Sequence, residues 1–534
     1  MNKELLLGDE ALAIGAIDAG ISGVYAYPGT PSTEITEYIQ SYVKNHGLNI
    51  HSMWSANEKT AYEEALGMSF VGKRSLVCMK HIGLNVAADA FINSAITGVN
   101  GGLVLAVADD PSMHSSQNEQ DSRYYGKFAM IPVLEPSSQQ EAYDAAIYAF
   151  ELSESMGLPV MIRMVTRLAH SRSSIERGPQ RQQNNINIPA DTHGFVLLPA
   201  IAKKQYARLI DIQDKLVSLS EISPFNFIAG GSSNQKAVIA CGIAFNYVME
   251  VISKNNLNIP VFKIGHYPLP TEKLKSFCEK YDSILVAEEG YPIYEELLKG
   301  FFGNDKFKGR LDGTLPRIGE LSPDSISKAF SIRPKAQYSI PDITENRPPQ
   351  LCKGCSHRDL FDSLVMALKD IPNFKVFSDI GCYTLGALPP FNAIHTCVDM
   401  GASITMAKGA ADASYSPAIA VIGDSTFTHS GMTGLLDAVN ENSSITVIIS
   451  DNRTTAMTGG QPSPGTNKLE NICIGLGVEP NHIRKIIPLK KNEENNIQVI
   501  REEINYHGVS VILAERECIQ TATRRKRAKA EEEE

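Results

Sequence analysis

The sequence predicts an α/β protein of several domains, built from parallel sheets flanked by helices. Short apolar, β-branched runs recur along the chain, with helical patterns between them. Two of these runs, AIAVIGDST at 418–426 and ITVIISDNRTT at 445–455, each stop on a polar residue: Asp424 closes the first and Asn452 the second. Between them Met432, Leu435, Leu436 and Val439 fall at i, i+3, i+4 and i+7, one face of an amphipathic helix. Strand, helix and strand make a βαβ unit whose strands are parallel neighbours. Asp424 and Asn452 are therefore expected together at the carboxyl edge of a sheet, where open α/β folds bind ligands.

In chain order, a first α/β domain is expected over 1–195, with strands VYAY at 24–27, SLVCM at 75–79, GLVLAVA at 102–108 and LPVMIRM at 158–164. The polar run RSSIERGPQRQQNNINIP that follows reads as a linker or lid. A linking segment over 196–235 is mainly helical between Ile201 and Leu219 and ends at GGSS, 230–233. A smaller α/β domain is expected over 236–335, with strands in AVIACG, PVFKIG and SILVAEE. The last domain, 336–520, carries the βαβ unit, and TATRRKRAKAEEEE, with no apolar face, reads as a disordered charged tail over 521–534.

The 534 residues suit about two to four domains, and 43% hydrophobic with 21% charged residues is the balance of a globular protein with ample core. No apolar run approaches the roughly 18–20 residues that span a bilayer. MNKELLLGDE lacks the basic start and apolar stretch of a signal peptide, so a cytoplasmic location is the expectation. A formal net charge of −10 argues against a nucleic-acid surface. The nine cysteines in a long chain of this kind do not read as a disulfide framework. Only Cys352 and Cys355 form a CxxC pair, and no run of four closely spaced cysteines ends in Cys-Pro.

A carboxylate and an amide oxygen at adjacent strand ends suit Mg²⁺, a hard ion that keeps coordination positions for phosphate oxygens. Gly423 would let the backbone approach such phosphates closely. The plainer alternative is a turn Asp and a turn Asn. In HSMWSANEKTAYEEALGMSFVGKRS a short strand reaches Asn57-Glu58 and a helix follows. Glu58 is either a buried functional carboxylate or a first-turn acid facing the helix dipole; Glu63 and Glu64 compete with it from further along the same helix. YAYPGTPSTEI at 25–35 follows a strand and opens a helix, with Thr30, Ser32 or Thr33 able to cap it. DDPSMHSSQNEQDSRYYG at 109–126 reads as a loop. Its Arg123 is either a bidentate partner for a carboxylate or a surface arginine, and His81 and His114 are further pocket candidates.

The segment GDSTFTHSGMTGLLDAVNENSSITVIISDNRTTAMTGGQPSPG resembles the diphosphate-binding domain of thiamine diphosphate-dependent 2-oxoacid:ferredoxin oxidoreductases. Among them it is most similar to the large (alpha) subunits of indolepyruvate ferredoxin oxidoreductases, and the likeness covers about 1–520. It implies a pyrimidine-binding domain, a transketolase C-terminal-like domain and a diphosphate-binding domain, in that order. It implies that Asp424, the Asn452 side chain and the Thr454 carbonyl hold Mg²⁺, and that Gly401, Gly423 and Ser425 border the cofactor; Ser425 stands where many thiamine enzymes have a second Gly. By the same resemblance Glu58 becomes the carboxylate that activates the cofactor's aminopyrimidine, and Thr30 and Arg123 become substrate contacts. Cys352, Cys355, Cys382 and Cys518 match the ligands of an internal [4Fe–4S] cluster, against a reading as a CxxC turn with two core cysteines. The ferredoxin-like module usual at the family's carboxyl end is not among these residues.

The implied activity is oxidative decarboxylation of 2-oxoacids, aryl-substituted ones such as indolepyruvate foremost, to an acyl-coenzyme A and CO₂. Electrons would pass to an external ferredoxin that docks on a local basic patch. The implied partner is a smaller beta subunit, in a heterodimer or a dimer of heterodimers. A non-oxidative thiamine diphosphate-dependent decarboxylase or ligase and a non-catalytic cofactor-binding scaffold are the alternatives.

Overall fold

The computed structural model describes residues 3–191, 193–233, 235–302, 306–316, 319–333, 343, 350–372, 374–397, 400–412 and 415–532. They fall in two compact units, Met1–Ser339 and Ile340–Glu534. Among the described residues no helix is long and apolar enough to cross a membrane.

The first unit holds two large sheets, besides the two-stranded pair of Lys3–Leu7 with Arg172–Glu176. The larger has seven strands, in the spatial order His266–Tyr267, Val133–Leu134, Val160–Val165, Leu103–Asp109, Ser75–Lys80, Gly23–Ala26 and His51–Trp54. All are parallel except His266–Tyr267, which runs against its neighbour. Val24, Leu76, Leu105, Val107 and Ile162 are fully buried, as strands covered on both faces require. The chain leaves Gly23–Ala26 toward His51–Trp54 on one side, and leaves Ser75–Lys80 toward Leu103–Asp109 on the other. The carboxyl ends of Gly23–Ala26 and Ser75–Lys80 therefore flank a topological switch point, where open α/β folds place their ligands. The turn containing Thr30 and the residue Lys80 stand there.

The second sheet has five strands, in the order Phe307–Lys308, Ser283–Ala287, Lys236–Cys241, Val261–Ile264 and Phe227–Ala229, the last antiparallel to its neighbour. The segment expected as a linker is built into the packing. It forms two helices, Pro199–Asp211 and Gln213–Ile222, which bury Leu209 and Leu216, and then this edge strand. The polar run after residue 170 is not a lid. Arg172–Glu176 pairs with Lys3–Leu7, and beyond it Arg181 N–H donates to the Asp18 carbonyl and Asn187 N–H to the Val71 carbonyl. Its Gln and Asn residues satisfy backbone groups along the surface of the unit, work that polar side chains do without any apolar periodicity.

The second unit is a five-stranded parallel sheet in the order Val376–Ser378, Ala418–Gly423, Ile445–Asp451, Val509–Glu515 and Ile483–Ile486. The helix between the second and third strands departs from the expected face. It is regular only over Met432–Asn440, after a π-helical turn Phe427–Gly431. Leu435 is fully buried whereas Leu436 is 42% exposed. The wider π turn rotates the residues after it, so the buried line runs through Gly434, Leu435 and Ala438. The segment read as a disordered tail is helical over Ile519–Glu532. Its Ala, Arg, Lys and Glu are strong helix formers, and Arg524 Nη1 donates to the Gly459 carbonyl.

Candidate functional site

Asp424 and Asn452 follow adjacent parallel strands, paired through Gly423 and Ser450. The Asp424 carboxylate is 2% exposed, and its Oδ2 has no hydrogen-bond partner. Burial, then the charge of Asp451, pushes its pKa up to about 7. An unpaired buried carboxylate oxygen costs stability unless a cation or proton meets it. The Asn452 Oδ1 accepts the Thr454 N–H at 3.1 Å and keeps a second lone pair. Between them Arg453 adopts φ +64°, a left-handed conformation that non-glycine residues take uncommonly and that recurs at ligand clamps. The residues present fit a divalent cation with phosphate oxygens: one anionic oxygen without a partner, one amide oxygen with spare capacity, and a tight turn that presents backbone carbonyls.

The glycines beside this point are sterically required. A Cβ on Gly423 would lie 2.6 Å from Tyr383 Cε1, and one on Gly401, held at φ +95°, would lie 2.6 Å from Ser430 Cβ. Ser425 Oγ is 2.9 Å from Thr455 Oγ1, which couples the two strand ends by a side-chain bond.

Two residues at this edge, Asp379 and His357, carry no expectation from the sequence. Asp379 follows the neighbouring strand Val376–Ser378 and accepts from the N–H of Gly401 and of Ser403, and from the hydroxyls of Ser403 and Tyr383. It holds the Gly401 turn and Tyr383 in place. His357 is fully buried, and burial brings its pKa down to about 4, so the ring is neutral. Its Nε2 lies 3.5 Å from Asn452 Nδ2 and its Nδ1 2.8 Å from Ser450 Oγ. With Nε2 accepting from the amide and Nδ1–H donating to the serine, His357 turns the Asn452 oxygen away from itself. The pattern Cys-x-x-Cys-Ser-His was the signal available for it.

The four expected cluster cysteines are all free thiols. Cys355 caps the helix Ser356–Leu368, Cys382 opens the turn Cys382–Ala387, and Cys518 precedes the last helix. Burial pushes the Cys382 thiol up to about 12, and the charges of Cys355, Cys518 and Cys352 push in the same direction. Cys352, Cys355 and Cys518 are thus close enough to Cys382 to act on it electrostatically. Three thiols that each raise the cost of ionising a fourth make a donor set that suits iron–sulfur ligation, where cationic iron supplies the compensating charge. Cys518 N–H donates to the Asn452 carbonyl at 3.1 Å, so the cysteine group adjoins the Asp424–Asn452 edge.

In the first unit Glu58 is the first residue of the helix Glu58–Phe70, behind an Asn57 cap whose Oδ1 accepts the Thr60 N–H. Glu58 is 6% exposed and its carboxylate lies against the Gly83 backbone, where a Cβ would come within 2.5 Å of Oε1. Of its competitors, Glu63 pairs on the surface with Lys59, and Glu64 accepts from Ser55 Oγ.

Arg123, expected as a substrate contact, is turned into the protein instead. It is 1% exposed; its Nε and Nη2 meet Asp121, its Nη1 meets Glu288, and Nη2 also donates to the Glu289 and Tyr291 carbonyls. The neighbouring Arg163 binds Asp109 and Glu135. These paired charges stitch the two large sheets of the unit together, and each Arg123 nitrogen already has a hydrogen-bond partner. The cation near Thr30 is Lys80, whose Nζ donates to the Ser115 carbonyl at 2.8 Å, while Ser115 Oγ donates to the Thr30 carbonyl. Lys80 is 7% exposed, and burial brings its pKa down to about 8, against the charge of Asp110. His81 is buried with Nε2 3.4 Å from the Asn118 carbonyl, and His114 pairs with Glu320.

Residues 14–195 match the family model of the thiamine diphosphate-binding region of pyruvate flavodoxin/ferredoxin oxidoreductases, and residues 379–486 match that of the C-terminal thiamine pyrophosphate-binding domain of thiamine enzymes. Over 97% of its length the chain is 38% identical to the indolepyruvate oxidoreductase subunit IorA of Archaeoglobus fulgidus, covering 86% of that protein. It is also 38% identical, over the same share, to the IorA subunit of Methanothermobacter thermautotrophicus, covering 87% of it. Among solved structures, the 2-oxoglutarate:ferredoxin oxidoreductase of Magnetococcus marinus superposes with a TM-score of 0.51 at 14% identity, covering 62% of this chain and 65% of that one. That last likeness is one of fold.

Proposed function

The chain belongs to the family of indolepyruvate oxidoreductase IorA subunits, and from that premise we propose that it is the thiamine diphosphate-carrying subunit of an oxidoreductase that decarboxylates aryl-substituted 2-oxoacids. The observation that carries the reading is the buried Asp424 carboxylate with an unpartnered oxygen beside Asn452, at the edge of a thiamine pyrophosphate-binding domain. Asp424, the Asn452 side chain and the Thr454 carbonyl would hold Mg²⁺ and, through it, the diphosphate; Gly401, Gly423 and Ser425 would line it. When bound, thiamine diphosphate supplies a carbon nucleophile and an electron sink. Glu58, buried at a helix start, would share a proton with the aminopyrimidine ring. Cys352, Cys355, Cys382 and Cys518 would hold the centre that takes electrons one at a time toward ferredoxin. The acyl group leaves on coenzyme A, and a beta subunit completes the assembly.

The test is turnover with the partner subunit present. Indolepyruvate and phenylpyruvate should reduce ferredoxin in a coenzyme A-dependent reaction with kcat/KM well above that of pyruvate and 2-oxoglutarate. Release of aldehyde with no reduced acceptor would instead assign a non-oxidative decarboxylase.

The cluster has its own readout. Protein purified without oxygen should carry about four irons per chain, and Cys355→Ser should lose the iron and its paramagnetic signal while still binding thiamine diphosphate. An active enzyme without iron defeats this assignment.

With Arg123 committed elsewhere, Lys80 is the group placed to receive the oxoacid carboxylate at the Thr30 turn. A charge-assisted hydrogen bond contributes about 1.5–3 kcal/mol, so Lys80→Met should raise KM by roughly 10- to 150-fold with a smaller effect on kcat. The free-enzyme pKa of about 8 sets the sign of the pH dependence. Carboxylate recognition is present below it, and kcat/KM should fall as pH rises through 8. A wild-type profile flat from pH 7 to 9, or an unchanged KM in Lys80→Met, excludes the role.

A further inference from the structure

Behind the Thr30 turn, three segments of the first unit bring Asp9, Glu34 and His170 together. Asp9 lies in the first turn of the helix Gly8–Asp18, Glu34 in the first turn of Thr33–His46, and His170 ends the short helix Thr166–Ala169. One ligand atom from each lies within 4.8 Å of the other two. The burial is graded: Asp9 is fully buried, while the side chains of Glu34 and His170 are 34% and 36% exposed.

Asp9 is the unexplained group. Neither carboxylate oxygen has a hydrogen-bond partner, and Glu34 Oε2 has none either. A first-turn acid that served its helix would accept a free amide. Glu10 does this, taking the Leu7 N–H at 2.8 Å, and Asp9 does not. Burial and the charges of Glu34 and Glu10 push the Asp9 pKa well up. The only counter-charge in the group is His170, whose pKa Glu34 raises, and Arg172 nearby is turned to Glu10. Two carboxylates this close, one of them fully buried, are costly unless a cation or a shared proton lies between them.

We propose that Asp9, Glu34 and His170 bind a divalent transition-metal ion of the zinc type. Two carboxylates and a neutral imidazole sum to −2, which the ion neutralises. A mixed nitrogen and oxygen donor set suits Zn²⁺ over Mg²⁺, which prefers oxygen alone. Around a tetrahedral ion with bonds of about 2.0–2.1 Å the donor atoms stand about 3.3–3.4 Å apart. His170 Nε2 and Glu34 Oε1 are 3.4 Å apart. Three protein ligands leave one position for water on the exposed side. The ion would tie the starts of two helices to the segment after Val160–Val165, directly behind the switch-point turn.

The test uses the full chain stripped of metal and titrated with Zn²⁺, with bound metal measured by elemental analysis and stability by thermal unfolding. Wild type should hold one more equivalent than either Asp9→Asn or His170→Gln, because zinc on the cysteines is common to all three. Zn²⁺ at about 100-fold excess over Kd should also raise the unfolding temperature of wild type by an increment absent in both variants. Asp9→Asn removes a buried unpaired carboxyl at constant size and His170 is half-exposed, so both variants should fold without metal. Equal zinc content in all three proteins, with equal thermal shifts, would overturn the proposal in favour of a proton shared between Asp9 and Glu34. Displacement of the ion by millimolar Mg²⁺ would overturn the metal class.

Discussion

Glu58→Gln should slow deuterium exchange at C2 of bound thiamine diphosphate by about 10²- to 10⁴-fold, the range in which a positioned general acid–base group acts. The amide keeps the size and one acceptor of the carboxylate but cannot share a proton with a ring nitrogen. Glu58 is 6% exposed and rests against Gly83, so water does not substitute for it readily. Its position at a helix start behind the Asn57 cap holds the carboxylate in one direction. Cofactor affinity, set mainly at the diphosphate end, should change by only a few-fold. Exchange at the wild-type rate in Glu58→Gln would remove Glu58 from the activating role. Loss of cofactor binding would show a binding residue instead.

Asp424→Ala should weaken thiamine diphosphate and Mg²⁺ binding by roughly 30- to 4,000-fold, the about 2–5 kcal/mol lost when one partner of a buried charge pair is truncated. The same substitution should leave the unfolding temperature of the cofactor-free chain unchanged or higher. Burial and the charge of Asp451 make this carboxylate costly to ionise, and its unpartnered Oδ2 offsets none of that until a cation arrives. These opposite signs distinguish a binding residue from a structural one. If calorimetry gives wild-type affinity in Asp424→Ala, the metal is held elsewhere. A collapse of cofactor-free stability would mean that the carboxylate is structural.

The Asp424–Asn452 edge was legible in the sequence because every relation that makes it is local. Two apolar runs, one intervening helix and the parallel rule place both residues at one sheet edge. The strand positions around Val24, Leu76, Leu105 and Ile162 were legible for the same reason, since period and composition carry them. Glu58 was legible as a helix-start acid, and the family resemblance alone distinguished it from a residue serving the dipole. Asp379 was missed because its strand, Val376–Ser378, is three residues long and has too little apolar repetition to register.

By itself, then, the sequence determined the α/β class, the parallel βαβ unit, the pairing of Asp424 with Asn452 and the family. These depend on chain-local periodicity and on motifs. Only the tertiary structure decided what each charged group faces. Arg123 reads as a free arginine in a polar loop, but Asp121, two residues away, and Glu288, 165 residues away, claim its guanidinium. Lys80 carried no expectation from the sequence, but the reversal of strand order brings it to the Thr30 turn. Cys382 comes under the electrostatic influence of thiols from segments as far apart as Cys352 and Cys518. The tail, polar throughout, is helical over Ile519–Glu532 and is tied down at Gly459. The physical reason is common to all four. The ionisation and reach of a polar side chain depend on burial and on partners distant in sequence, and neither leaves a periodic trace in the order of residues.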